Sequence, residues 1–200
     1  MFRLNLNHQE QYPVYLNAQI MDNLKAEPII LHKLTMEDAV IFDNTYARPE
    51  LFWKINNSEE IGEESAADFT KRMLWLCKYV YTIRLRSVPN EVIGSCVLYN
   101  WNKRKKEIFF GGSLLPEHWG KGIMPAAFNQ MIEMAKYCLG AAFIKISILQ
   151  SNQPATRMVE KLGFFNSMKD GELITYTRPV DLPPSTAKLI QKNKGFQQAI

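Results

Sequence analysis

Cysteine is scarce. Three occur in 200 residues (Cys77, Cys96 and Cys138), far apart and set in apolar runs. An odd, scattered set without a Cys-x-x-Cys excludes a disulfide framework, and reduced core thiols are expected. Histidine is as scarce, and His8, His32 and His118 do not cluster with the cysteines. On ligand count no metal site is expected. Long apolar runs are also lacking. Nothing approaches the ~18 residues that cross a bilayer, so no membrane partner is expected. The opening stretch MFRLNLNHQEQYPVYLN holds no apolar block and no small-residue cleavage site, so a cytoplasmic protein is expected. Neither sign of charge dominates. Lys and Arg number 24 against 20 Asp and Glu, a net +4 that is too weak to argue for nucleic acid, and none is expected as a partner. There are no repeats and no low-complexity runs.

Hydrophobic residues make up 46% and charged residues 22%, a composition that supports one globular domain. Residues 1–27 are polar and aperiodic and read as an N-terminal extension ending at Glu27-Pro28. Residues 28–180 read as the domain. Residues 181–200 read as a basic tail reached through Asp181-Leu182-Pro183-Pro184. The sequence leaves open whether these end segments pack on the domain or pair with a second subunit as a homodimer.

Within the domain, Ile29-Ile30-Leu31 reads as a short buried strand. Thr35-Met36-Glu37-Asp38 resembles a cap and acidic first turn, opening a short helix to Thr45. Ser58 is placed to cap a longer helix from Glu59 to Tyr79. The period then changes. Residues 80–87 and 91–100 form a hairpin about Val88-Pro89-Asn90, and residues 107–115 form a third antiparallel strand. Its Gly111-Gly112 pair marks a bulge or a close approach to the backbone. A helix from Met124 to Leu139 ends at Gly140, with Ala127, Phe128, Met131, Met134, Ala135 and Cys138 on one face. A buried strand (142–149), a helix entered at Pro154 and a final hairpin (164–168 and 172–178) follow. The strand-helix-strand passage from 107 to 149 requires a parallel pairing. The expected fold is α/β: a mixed, mostly antiparallel sheet of about seven strands flanked by four helices.

The stretch that carries chemistry is Leu115-Pro116-Glu117-His118-Trp119-Gly120-Lys121-Gly122-Ile123-Met124. It joins a strand to a helix through a glycine-containing turn, where successive N–H groups and the helix's positive end can form an anion site. It is neither the Rossmann fingerprint, lacking a third glycine, nor a P-loop, lacking Gly-Lys-Ser/Thr. At these residues the chain resembles the GNAT superfamily of acetyl-CoA-dependent N-acetyltransferases, whose signature is Gln/Arg-x-x-Gly-x-Gly/Ala. The matching positions are Trp119-Gly120-Lys121-Gly122-Ile123-Met124, and the preceding Leu-Pro-Glu-His resembles the branch acting on ribosomal-protein N-termini. Two further stretches are similar to that branch: Asn152-Gln153-Pro154-Ala155-Thr156-Arg157 with Glu160-Lys161-Leu162-Gly163-Phe164, and Glu107-Ile108-Phe109-Phe110.

The resemblance implies acetyl-CoA as cosubstrate and an acceptor that is an amine, either a protein N-terminus or a small molecule. It implies a fold in which the fourth and fifth strands splay and the pantetheine arm lies between them. The pyrophosphate would sit on the amides of Trp119, Gly120, Lys121, Gly122, Ile123 and Met124. Asn152 would contact the arm, with Ala155 and Arg157 near its nucleotide end. An N–H near Leu114 or Leu115 would hold the oxyanion. Two departures stand out. Met124 replaces the small residue that closes the motif and is followed by Pro125, which has no N–H. Val159 stands where many relatives carry a tyrosine acid.

Acetyl transfer needs a neutral amine. A lysine-like amine costs about 4 kcal/mol to deprotonate at pH 7, an α-amino group about 1.4 kcal/mol. Glu107 is the candidate base, set against a bland reading as a surface carboxylate opposite Lys105 or Lys106. Tyr99, Ser113 and Ser147 are weak candidates for the acid. Phe42, Tyr46, Phe52, Trp53 and Trp75 read as core, with an aromatic acceptor pocket as the alternative. The sequence also admits two rival readings: a non-catalytic acyl-CoA-binding sensor or scaffold on the same fold, and a nucleic-acid module using the basic turn and tail.

Overall fold

The computed structural model describes residues 28–39 and 65–181. The extension over 1–27, the helix body toward Thr45, the Ser58 cap, the tail from 182, and Phe42, Tyr46, Phe52 and Trp53 lie outside the described residues. Seven strands form one sheet: β1 (Ile29–Lys33), β2 (Tyr79–Leu85), β3 (Gly94–Asn102), β4 (Glu107–Leu114), β5 (Phe143–Leu149), β6 (Phe165–Asp170) and β7 (Leu173–Pro179). Their order is β1-β2-β3-β4-β5-β7-β6. All neighbours are antiparallel except β4 and β5, which are parallel. The expected mixed seven-stranded sheet is therefore present. Four helices were expected; three α-helices fall among the described residues, α1 (Ala66–Leu76), α2 (Ile123–Leu139) and α3 (Gln153–Lys161), with a 3₁₀ turn at Met36–Asp38 where the first was to begin.

α1 departs from the sequence reading at both ends. Ser65 is its cap, accepting the Asp68 N–H at 3.1 Å while its hydroxyl donates to the Asp68 carboxylate at 2.6 Å. Both Ser58 and Ser65 precede acidic residues, and spacing alone does not choose between them. The helix stops at Leu76 rather than Tyr79, because Tyr79 already pairs with Leu98 of β3.

The sheet buries both faces, and strand alternation divides the core. Ile108, Phe110 and Leu114 of β4 join the larger cluster with α2, where Phe128 is fully buried. Its ring lies 4.0 Å from Phe110 and 5.2 Å, edge-on, from Phe164. On the other face Phe69 and Met73 of α1 pack with Leu34, Val80, Val97 and Tyr99.

Of the two alternatives for the Gly111-Gly112 pair the bulge is absent and close approach holds, while the core placements of Cys138 and Trp75 fail. Gly111 and Gly112 pair in register with Val97 and Cys96, so β4 carries no bulge there; the irregularity falls between Tyr99 and Asn102, where Asn100 has φ +52°. Close approach accounts for Gly112 instead: a Cβ would lie 3.1 Å from the Met124 Sδ and 3.2 Å from the Phe110 ring. Cys96 is a core thiol and Cys77 is half-buried, but Cys138 is exposed, since the stripe on α2 is buried only through Ala135 and the last turn leaves the packed layer. Trp75 is 83% exposed rather than core.

Candidate active site

Parallel pairing between β4 and β5 is short. It covers Glu107↔Phe143, Ile108↔Ile144 and Phe109↔Lys145 and extends no further among the described residues. β4 continues to Leu114 on β3, and β5 continues to Leu149 on β7, so a gap opens between them. One bond sets the phase of its edge. Leu115 N–H donates to the Ile93 carbonyl at 2.9 Å, which makes Gly94↔Leu114 a non-hydrogen-bonded pair. Leu114, and by alternation Gly112 and Phe110, therefore turn N–H and C=O away from β3; the Phe110 N–H closes the last rung of the parallel ladder on the Lys145 carbonyl, and the other groups face the gap. The Leu115 N–H, expected as an alternative oxyanion donor, is spent on Ile93.

At the mouth, β4 passes through a 3₁₀ turn (Pro116–His118) and the residues 119–122 into α2. Gly120 and Gly122 have φ +75° and +76°, a left-handed conformation that favours glycine, and Gly122 is the N-cap of α2. The Trp119 N–H donates to the Pro116 carbonyl at 3.0 Å, so this member of the expected amide set is engaged within the turn. Its indole Nε1 donates to the Leu114 carbonyl at 2.7 Å. Lys121 is exposed, and Ile123 is buried and anchors the helix start. Met124 lays its thioether against Gly112 at the open edge of β4.

Below the gap, Glu107 accepts from Lys145 Nζ at 2.8 Å, both side chains being about one-fifth exposed (23% and 22%). The partner is therefore Lys145 rather than Lys105 or Lys106. A parallel strand 38 positions along the chain supplied it, which local sequence cannot signal. Tyr99 stacks on Phe109 at 5.6 Å between ring centres. Burial, with the nearby Cys77 second, pushes the Tyr99 phenol up to about 12. The Ser147 hydroxyl is engaged with the Thr175 hydroxyl at 3.1 Å. Val159, at the position of the missing tyrosine, is wholly buried.

α3 begins at the far side. The Asn152 side-chain oxygen accepts the Ala155 N–H at 3.2 Å, which caps the helix and leaves the Asn152 amide nitrogen as a donor. Asn152 and Arg157 are exposed and Ala155 is half-buried. No group of three or more His, Cys, Asp or Glu among the described residues could hold a metal ion.

A mixed sheet parted between two parallel strands, with a glycine turn and a helix N-terminus at its mouth, defines an acyl-CoA N-acyltransferase architecture. Residues 29–165 match the acetyltransferase (GNAT) domain family model, and the chain belongs to that family, an acetyl-CoA-dependent acetyltransferase. Two curated relatives are similar over most of their length. The uncharacterized N-acetyltransferase p20 of Bacillus licheniformis is 24% identical, over 79% of this chain and 89% of that protein. The uncharacterized N-acetyltransferase YoaA of Bacillus subtilis is 23% identical, over 76% and 86%. The fold is shared with the ribosomal-protein-S5-alanine acetyltransferase of Vibrio fischeri (TM-score 0.62, 18% identity, 76% of this chain and 93% of that one). It is also shared with the spermidine N-acetyltransferase of Vibrio cholerae in complex with CoA and spermine (TM-score 0.61, 17% identity, 76% and 95%). No helix among the described residues is long and apolar enough to cross a membrane.

Proposed function

We propose that the domain over 28–180 transfers the acetyl group of acetyl-CoA to a primary amine by direct attack in a ternary complex. The observation that carries this reading is the early end of β4–β5 pairing, which leaves Phe110, Gly112 and Leu114 aiming backbone polar groups into a gap. An extended pantetheine arm carries amides able to pair with such an edge. The diphosphate rests on the N–H groups of Gly120, Lys121, Gly122, Ile123 and Met124, with the Lys121 charge beside it. The Asn152 amide nitrogen reaches the arm, and Ala155 and Arg157 lie toward the nucleotide.

The amine nitrogen attacks the thioester carbonyl carbon. The new C–N bond forms, the C–S bond breaks, and the electron pair leaves on the CoA sulfur as a thiolate. Glu107 takes the proton lost by the amine, directly or through one water, while Lys145 fixes the carboxylate. The Leu114 N–H lies seven residues along β4 from Glu107, about 23 Å at ~3.3 Å per residue, so it is too far for the oxyanion and pairs instead with the arm nearer the diphosphate. A covalent relay is disfavoured, since Cys96 is buried and burial pushes its thiol up, away from the reactive thiolate. Two structural neighbours act on acceptors of different kinds, a ribosomal-protein alanine and spermidine. An α-amino acceptor is the cheaper to deprotonate, by about 2–3 kcal/mol, which favours a protein N-terminus.

Thiol release from acetyl-CoA across an amine panel, with mass identification of the product, tests the reading. Turnover is expected with at least one amine, and Glu107→Gln is expected to lower kcat about 100-fold with CoA affinity kept. Tight CoA binding without turnover on any acceptor would favour a sensor instead.

A further inference from the structure

We propose that Trp119 is a positioning residue for acetyl-CoA: its indole N–H, held on the Leu114 carbonyl, pins the diphosphate-binding turn to the open edge of β4. This deepens the function proposed above and rests on it. The indole is 63% exposed, so burial does little to hold the ring in place. Its polar atom is nonetheless engaged, at 2.7 Å, with a carbonyl that the strand register directs toward the gap. The backbone bonds of the turn, His118 N–H to Leu115 and Trp119 N–H to Pro116, are local to it. Among the described residues, the indole bond is what ties residue 119 back onto the strand.

The tie has two consequences. Gly120 and Gly122 are free to adopt many backbone conformations, and ordering them on binding costs affinity. Anchoring residue 119 fixes where the 120–124 amides begin, so less is left to order. The bond also occupies the last carbonyl of the open edge. A ligand laid along the gap then finds Leu114 offering only a donor, Gly112 both kinds of group and Phe110 only an acceptor, which fixes the register of the arm. The Leu114 N–H belongs to the preceding peptide plane, so it stays available to the arm with or without the indole, and the reacting end of the arm, toward Glu107, is remote from both.

Two variants separate the N–H from the ring. Trp119→Phe keeps an aromatic ring without a donor, and Trp119→Gln restores an N–H at similar reach without the ring. For Trp119→Phe, the KM for acetyl-CoA and the calorimetric Kd for CoA are expected to rise about 3–10-fold, the loss of one hydrogen bond. Its kcat should stay within about twofold and its Tm within about 2 °C, as an exposed ring contributes little to stability. Trp119→Gln is expected to recover most of the affinity. An unchanged KM and Kd in Trp119→Phe, or a Trp119→Gln variant as weak as Trp119→Phe, would overturn the inference. A wild-type protein that binds no CoA would overturn the underlying function instead.

Discussion

At Gly112 the absence of one methyl group decides what can sit at the mouth of the gap. Any Cβ there meets the Met124 sulfur at 3.1 Å and the Phe110 ring at 3.2 Å. Gly112→Ala is expected to cost about 1–3 kcal/mol. Because the Met124 side chain is flexible and Phe110 is packed, Met124→Ala in the same chain should recover a measurable part. A double-mutant cycle by denaturant unfolding should give a coupling of at least about 0.5 kcal/mol, and additive losses would contradict the contact. Residue chemistry was partly legible in the sequence. The glycines marked the turn between strand and helix, and Glu107 was recognisable through the family resemblance as the acidic start of the fourth strand. What Glu107 touches was not, because Lys145 reaches it only through parallel pairing. Nor was the engaged Trp119 amide, because a 3₁₀ turn before the glycines leaves no periodic trace.

At the scale of elements, α2 does the most to place the site. Its N-terminus faces the gap and its buried stripe, centred on Phe128, locks it to β4 through Phe110 and to the chain after α3 through Phe164. Phe128→Ala is expected to cost about 3–5 kcal/mol in denaturant unfolding, as Phe128 is fully enclosed. A loss below about 1 kcal/mol would show that the helix is held elsewhere. This helix was legible because apolar residues recur at its period and Gly140 ends it in a left-handed cap with φ +65°. The hairpins were legible through alternation and turn residues. The start of α1 was not, since two serines compete for the cap. The length of the β4–β5 pairing was not either: register between strands separated by a whole helix leaves no local signal, and the splay entered the sequence reading only through resemblance.

For the whole molecule, one sheet buried on both faces places aromatic hydroxyls and a thiol in dry surroundings. Burial raises the Tyr81 and Tyr99 phenols to about 12 from an ordinary 10, and it raises the Cys96 thiol. The folded state therefore holds these protons more tightly than the unfolded state. Stability is fully present below the unfolded values and is lost as pH climbs through the folded ones. Thermal melts should be insensitive to these groups at pH 7–8 and fall steeply from pH 10 toward 12, with Tyr99 alone accounting for about 2–3 kcal/mol. Tyr99→Phe should flatten part of that fall, and an identical slope in the variant would contradict a buried phenol.

The central claim is that the parted strands and the glycine turn together receive a nucleotide thioester, and a crystal structure of the complex with CoA tests it most directly. The expected result places the diphosphate on the N–H groups of residues 120–124, and the arm between β4 and β5 beside Phe110, Gly112 and Leu114. Coenzyme bound elsewhere, or a gap closed by Met124 with the diphosphate off the turn, would contradict it.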